Sequence, residues 1–192
     1  MLVATDVGPE DLAIPRLIPE GADVTGSWFG TVGSADVVVL AVAEAGGTAL
    51  SRDRSLWAWT RRPDLGGWLG RRVVAFPARA GVLGLDGMLA DVSGDGSDDA
   101  LVFALTGGSG ACGSWSVFDL TADEGAGLRI FSRDLCDARV DPSQHPVGLA
   151  VTASVYRPGD PHCCPSAQRV TTMIYAGGGR WSTVSDEQTP LG

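Results

Sequence analysis

Short apolar runs recur along the chain, separated by glycine, aspartate, proline or serine, and most of them are rich in β-branched or aromatic residues. Such runs are typical of β-strands. The long windows lack a 3.6-residue periodicity with helix caps, so the pattern predicts an all-β protein. The one departure is residues 141–145 (DPSQH), for which we expect at most one helical turn. The predicted strands span 36–43, 55–60, 72–77, 99–105, 114–120, 127–133, 148–156, 168–176 and 180–184.

The order of these runs repeats. Both GSWFGTVGSADVVVLA and GMLADVSGDGSDDALVFA are followed by a tryptophan-containing run and then a phenylalanine-containing run. We therefore predict antiparallel, propeller-blade-like sheets at about 27–80 and 84–135, with a shorter, disulfide-linked third unit at about 146–185. Because a full propeller has at least about four blades, we expect an incomplete propeller or a sandwich-like fold. Residues 1–26 hold three prolines and show weak periodicity, which predicts an extended N-terminal segment or linker.

Composition narrows the class of protein. Apolar residues make up 44% and charged residues 19% of the chain, which is typical of a globular domain. The net charge of −9 disfavours a nucleic-acid partner, since phosphate contacts need a basic face. No apolar run approaches the roughly 20 residues of a membrane span, so we expect no transmembrane segment. All basic residues are arginine and asparagine is absent, which is typical of a GC-rich genome.

Four cysteines lie in the C-terminal half: Cys112, Cys136, Cys163 and Cys164. Their even number and the absence of a C-x-x-C pair favour two disulfides over a thiolate metal site. A bond between Cys163 and Cys164 would close a strained ring, so we expect each to pair with Cys112 or Cys136. Disulfides indicate a secreted or cell-surface protein, although the sequence shows no signal peptide.

Oxygen-bearing side chains are most concentrated in residues 91–99, DVSGDGSDD, which fit the pattern D-x-[D/N/S]-x-D-G-x-x-D. Alternate oxygens of such a wound loop can point inward, and Ca²⁺ takes six to eight oxygen ligands. We expect side-chain ligands from Asp91, Ser93, Asp95 and Asp99, and the backbone carbonyl of Ser97. The alternative is an acidic, solvated hairpin that binds no ion. An EF-hand would need Glu at the twelfth position, where this chain has an apolar valine.

The stretch LADVSGDGSDDALVF (residues 89–103) resembles the integrin-type FG-GAP, or VCBS, repeat. That resemblance implies Ca²⁺ bound between the first two strands of a propeller blade. Ser93 stands where an acid or amide is commoner in that family. The equivalent loop of the first repeat, FGTVGSADVVVL, keeps only Asp36, so we expect no metal there.

The string HCCPS (residues 162–166) is similar to strings in exported actinobacterial proteins. The residues leave three interpretations open. The loop could be a disulfide-stapled hairpin in which Pro165 fixes the turn, a Zn²⁺ or copper site that includes His162, or a redox-active thiol pair.

Trp57 and Trp59 stand two apart on one predicted strand and therefore share a face. Exposed, they could stack on sugar rings as in a carbohydrate-binding module, whereas buried they would belong to the core. No G-x-S-x-G motif occurs, and neither His145 nor His162 has a recognisable catalytic partner. The sequence thus predicts a binding or structural calcium-binding domain with an unidentified protein or glycan partner. A carbohydrate-binding module and a small secreted hydrolase are the alternatives.

Overall fold

A computed structural model describes residues 2–5, 18–48, 51–107, 111–122, 128–161 and 163–191. These residues form antiparallel strands, and the only helical pieces among them are 3₁₀ turns at Pro63–Leu65 and Ala78–Ala80. The prediction of an all-β fold is therefore confirmed. In the part of the chain that the structure describes, no helix is long and apolar enough to cross a membrane.

Thirteen described strands form three sheets, each built mainly from strands that follow one another along the chain. The first sheet has the order β1-β5-β4-β3-β2, the second β6-β7-β8-β9 and the third β10-β11-β12-β13. The strands are β1 (Leu2–Thr5), β2 (Asp23–Val32), β3 (Ala35–Ala43), β4 (Arg54–Arg62), β5 (Gly67–Phe76), β6 (Gly84–Ala90), β7 (Asp99–Gly107), β8 (Cys112–Phe118), β9 (Arg129–Leu135), β10 (Ala138–Gln144), β11 (Val147–Val155), β12 (Ala167–Tyr175) and β13 (Trp181–Pro190).

The sheets stack face to face, with the second sheet between the other two. Alternate residues of β7 point to opposite faces, so Ala100 and Val102 pack toward the first sheet while Leu101 packs toward the third. Both faces are apolar and both are buried, which explains the uninterrupted apolar run of this strand. On β3, likewise, Val37 and Val39 face the second sheet, whereas Val38 lies in a separate cluster on the other face.

The third sheet differs from the shortened unit that the sequence predicts. It has four strands and begins at β10, which includes residues 141–144 of the expected helical turn. Pro142 lies inside β10, and proline is tolerated in sheets on edge strands because it cannot donate a ladder hydrogen bond. Since β10 is the edge of its sheet, Pro142 fits there opposite Leu149.

The N-terminal region is also more structured than the predicted linker. β1 pairs antiparallel with β5 and extends the first sheet, with Leu2 opposite Gly70. β2 begins at Asp23 and pairs with β3 through a tight turn at Gly33 and Ser34. Residues 6–17 of the predicted segment lie outside the described residues.

Candidate functional site

The acidic loop, defined here as residues 91–99, connects β6 to β7, which are the first two strands of the second sheet. Ala90 and Asp99 pair at the base of the loop. Gly94 and Gly96 have φ angles of 80° and 85°, in the left-handed region that glycine adopts without strain. These two residues allow the intervening chain to wind tightly and return to the sheet.

Two aspartates of the acidic loop bind the loop's own backbone. Asp91 accepts hydrogen bonds from the Gly94 amide at 2.7 Å and the Gly96 amide at 3.0 Å, one on each carboxylate oxygen. Asp95 accepts the Ser97 amide at 2.8 Å. Both side chains are therefore turned into the loop, and they satisfy amides that the strand ladder leaves without partners.

Asp99 occupies the most enclosed position of the site. Its relative exposure is 1%, and one carboxylate oxygen accepts the Val92 amide at 3.1 Å and the Ser93 amide at 2.8 Å. Burial raises the pKa of the Asp99 carboxyl to about 6, although these two amides and the nearby Ser93 hydroxyl oppose the shift. Among the described residues, Asp99 has no basic partner.

The Ser93 hydroxyl is buried, and within the described part of the chain no group meets it with hydrogen-bond geometry. It lies close enough to Asp99 to affect that carboxyl electrostatically, yet it makes no proper hydrogen bond to it. A buried hydroxyl without a partner costs free energy. The Ser93 hydroxyl is therefore available to donate a hydrogen bond or to ligate a cation.

The C-terminal half of the acidic loop is fastened to the first sheet. Asp98 accepts the Thr31 amide at 2.7 Å on its carboxylate and donates its own amide to the Thr31 carbonyl at 2.8 Å. The Ser97 hydroxyl accepts the Gly33 amide at 3.0 Å. The sequence does not reveal this contact of Asp98, because its partner lies 67 residues away and no local pattern records it.

The donor set of the acidic loop fits a hard cation, but its carboxylates surround the loop amides instead of a common point. Within the described residues, no group of three or more His, Cys, Asp or Glu side chains converges to hold a metal ion. The available ligands are oxygens, which Ca²⁺ prefers. Coordination by the half-buried Asp91 and the exposed Asp95 together would require both side chains to rotate away from the amides that they now accept.

The equivalent position of the first sheet is occupied differently. Asp36 lies near the start of β3, and its exposed carboxylate is 3.5 Å from the Arg61 guanidinium. The β2–β3 turn has two residues where the second sheet has the long acidic loop. Asp36 thus provides a matched reference for an aspartate that follows a turn but has no oxygen-rich loop beside it.

The predicted disulfide connectivity is wrong, because none of the four cysteines has the partner that the sequence predicts. Cys112 and Cys136 are bonded to each other, with a Cα–Cα distance of 4.0 Å. The physical reason is register: Gly113 pairs with Leu135 in the antiparallel β8–β9 ladder, which brings Cys112, just before Gly113, opposite Cys136, just after Leu135. Cys163 and Cys164 are exposed free thiols and pair with neither of the others.

The two tryptophans proposed for sugar stacking do not form an exposed pair. Trp59 is 0% exposed and lies in a cluster with Trp68, while Trp57 packs against the same cluster and donates its indole N–H to the Ser55 hydroxyl at 3.0 Å. A ring enclosed on all sides cannot stack on a sugar. Trp59 therefore belongs to the core, whereas Trp57 is partly buried beside it.

A pocket of about 470 Å³ lies beside the acidic loop, and Val32, Leu69, Leu120 and Ser97 are among its lining residues. Arg71 also lines it, but its guanidinium donates to the backbone carbonyls of Leu120 and Ala122 at 2.7 and 2.5 Å. Among the described residues that line it, none is a histidine, a cysteine or a carboxylate.

No family model matches the chain, and no curated protein or solved structure matches it. The resemblance to calcium-binding repeats thus depends on residues 89–103 alone.

Proposed function

We propose that the acidic loop is a structural Ca²⁺ site of an extracytoplasmic β-domain whose role is binding or architectural. The side chains of Asp91, Ser93, Asp95 and Asp99 and the carbonyl of Ser97 would hold the ion. A bound Ca²⁺ would neutralise carboxylates that otherwise repel one another. The proposal includes no catalytic step.

The burial of Asp99 is the observation that carries this proposal. A carboxylate that is 1% exposed loses most of its hydration, and two amide donors compensate only part of that loss. With no basic residue beside it among the described residues, a cation in the loop would supply the missing charge.

The surroundings of Asp99 support the same conclusion. The orphaned Ser93 hydroxyl lies close to it and offers a neutral oxygen. The Ser97 hydroxyl is already occupied by the Gly33 amide, which leaves its carbonyl as the group that this residue can contribute. Oxygens of these kinds are common Ca²⁺ ligands.

The position of the loop suggests what the ion would do. The acidic loop is bonded to the first sheet through Thr31 and Gly33, and a side chain at Gly94 would approach Val147 of the third sheet. Ordering the loop would therefore hold the ends of all three sheets together. The Cys112–Cys136 disulfide suits an oxidising compartment outside the cytoplasm, where calcium is plentiful.

Thermal unfolding in Ca²⁺ and in EGTA tests the proposal. Extracellular sites with Kd of ~10⁻⁴–10⁻³ M gain about 1.4–2.7 kcal/mol at about 10 mM Ca²⁺. For a domain of this size we expect Tm to rise by about 3–10 °C. Mg²⁺ at the same concentration should have a smaller effect, since it keeps its waters.

Asp99→Asn and Asp36→Asn form a matched pair for this test. We expect Asp99→Asn to lose the Ca²⁺-dependent rise in Tm, because the substitution removes a charged ligand, and Asp36→Asn to keep it. Calorimetric titration with Ca²⁺ should give binding for wild type and for Asp36→Asn only. A wild-type protein whose Tm is unchanged by millimolar Ca²⁺, or an equal response in both variants, rules the site out.

A further inference from the structure

The connection between β11 and β12 presents two adjacent thiols at the surface. Cys163 and Cys164 are both exposed, and their sulfur atoms are 2.8 Å apart. This separation is shorter than a van der Waals contact between sulfurs and longer than the covalent bond of about 2.05 Å. The two sulfurs therefore face each other directly, along the line on which a bond would form.

The loop holds the thiols in place through Asp160. One Asp160 carboxylate oxygen accepts the Arg157 amide at 2.7 Å and also the Ser166 hydroxyl. The Cys164 amide donates to the Pro161 carbonyl at 2.9 Å and closes a turn around the pair. These bonds hold the backbone on both sides of the two cysteines.

Cys163 and Cys164 have no other free thiol to pair with inside the protein, because Cys112 and Cys136 are bonded to each other and the chain holds four cysteines. We propose that Cys163 and Cys164 are a redox-active dithiol that forms a reversible vicinal disulfide by exchange with a low-molecular-weight disulfide. This function is independent of the proposed calcium site, which lies on a different loop.

The adjacency of the two residues makes such a bond reversible. A bond between adjacent cysteines closes an eight-membered ring through the planar peptide bond that joins them, and such a ring carries strain. Strained or exposed disulfides are the readily reduced ones. The Cys112–Cys136 bond, which joins two paired strands, is the structural disulfide of the same chain.

The exchange proceeds in two balanced steps. The Cys163 thiolate attacks a disulfide RSSR, forms Cys163–S–S–R and releases RS⁻. Cys164 then gives up its proton and attacks the Cys163 sulfur, which closes the ring and releases a second RS⁻. The protein loses two electrons and two protons in total, and RSSR becomes two RSH. The hydrogen bond with Cys163 raises the pKa of the Cys164 thiol, which agrees with Cys164 holding the proton until the second step.

Tryptic mapping separates the two disulfides, because cleavage follows arginine in this lysine-free chain and does not occur before Pro158. Residues 140–169 form one peptide that contains both Cys163 and Cys164 and no other cysteine. Cys112 and Cys136 fall in peptides 80–129 and 134–139. The full chain is equilibrated with defined ratios of reduced and oxidised glutathione, alkylated with iodoacetamide after denaturation, and digested.

We expect peptide 140–169 to change from two alkylated thiols to an unalkylated form two hydrogens lighter as oxidised glutathione increases. The Cys112–Cys136 link between peptides 80–129 and 134–139 should persist at ratios of reduced to oxidised glutathione that reduce the Cys163–Cys164 disulfide. Two alkylated thiols at every ratio, a peptide bearing two glutathiones, or a link from 140–169 to another peptide would each overturn the proposal.

Single serine variants test whether the two thiols act as a pair. We expect Cys164→Ser to accumulate the mixed disulfide of Cys163 with glutathione, since the resolving thiol is gone. In Cys163→Ser we expect the mixed disulfide of Cys164 with glutathione to accumulate instead, because no second thiol is left to close the ring. A single variant that stays free of glutathione at ratios that oxidise the wild-type pair would overturn the proposal.

Discussion

Asp99 is almost completely withdrawn from solvent at the first position of β7, and this single carboxyl links the stability of the protein to pH. Its pKa is raised from an ordinary value near 3.8 to about 6 because burial disfavours the charged form. The protonated, neutral carboxyl therefore stabilises the folded chain relative to the ionised carboxylate. The stabilisation that this form gives is complete below pH ~4 and is lost as the pH rises through about 6.

We expect calcium-free wild-type protein to lose stability between pH 4 and 7, relative to Asp99→Asn, by about 2–3 kcal/mol. Urea unfolding at a series of pH values in resin-treated buffer measures this difference. The comparison with Asp99→Asn isolates the effect of Asp99, because the other carboxyls titrate in both proteins. Saturating Ca²⁺ should reduce the difference, since the ion favours the ionised carboxylate. Parallel pH profiles in the absence of calcium would contradict the assignment.

At the scale of the strands, close approach of backbones controls where side chains are allowed. Gly148 on β11 has no room for a methyl group, because a β-carbon there would overlap the Met173 carbonyl oxygen of the neighbouring strand β12. That oxygen belongs to a paired backbone and cannot move independently. Gly84 on β6, by contrast, has open space where its β-carbon would lie.

We predict that Gly148→Ala destabilises the protein by about 1–3 kcal/mol, since the added carbon must push β11 away from β12. Gly84→Ala should change the free energy of unfolding by less than about 0.5 kcal/mol. Denaturant unfolding of both variants measures these values. The matched pair separates steric overlap from the general effect of replacing a strand glycine, so equal values for the two variants would refute this explanation.

At the scale of the molecule, the three sheets are joined by apolar interfaces and a few specific polar contacts. Trp181 of β13 donates its indole N–H to the Ile130 carbonyl of β9 at 2.8 Å, and its ring meets that of Phe131 edge to face. This one side chain therefore binds the third sheet to the second through both its polar and its apolar parts. Tyr175 packs against the same indole, but its hydroxyl only accepts the Gly179 amide in an exposed turn.

We expect Trp181→Phe to cost about 1–2 kcal/mol, because it leaves the Ile130 carbonyl without its partner while keeping an aromatic ring. Tyr175→Phe, which also keeps its ring, should cost no more than about 0.5 kcal/mol because its bond is solvent-exposed. Urea unfolding followed by tryptophan fluorescence and by circular dichroism gives both values. An equal loss in the two variants would show that the indole hydrogen bond does not couple the sheets.

The sequence by itself determined the strand class and the position of most strands. The run DVVVLAVA predicts β3, and DALVFAL predicts β7, because β-branched and apolar residues on both faces suit a strand buried on both sides. The same local chemistry located the acidic loop between two strands, since Gly, Ser and Asp interrupt the apolar pattern there. These features depend on neighbours within a few residues, which a sequence pattern records.

Only the tertiary structure decided which distant residues meet. The register of β8 and β9 pairs Cys112 with Cys136 and leaves Cys163 beside Cys164, whereas counting cysteines left the connectivity open. Likewise, Trp59 is buried in a cluster with Trp68 and Ile18 on the outer face of the first sheet, and the stacking of sheets brings Asp98 to Thr31. Contacts of this kind are set by how whole sheets pack, and packing sums many weak interactions between segments far apart in the chain, so no local pattern encodes any one of them.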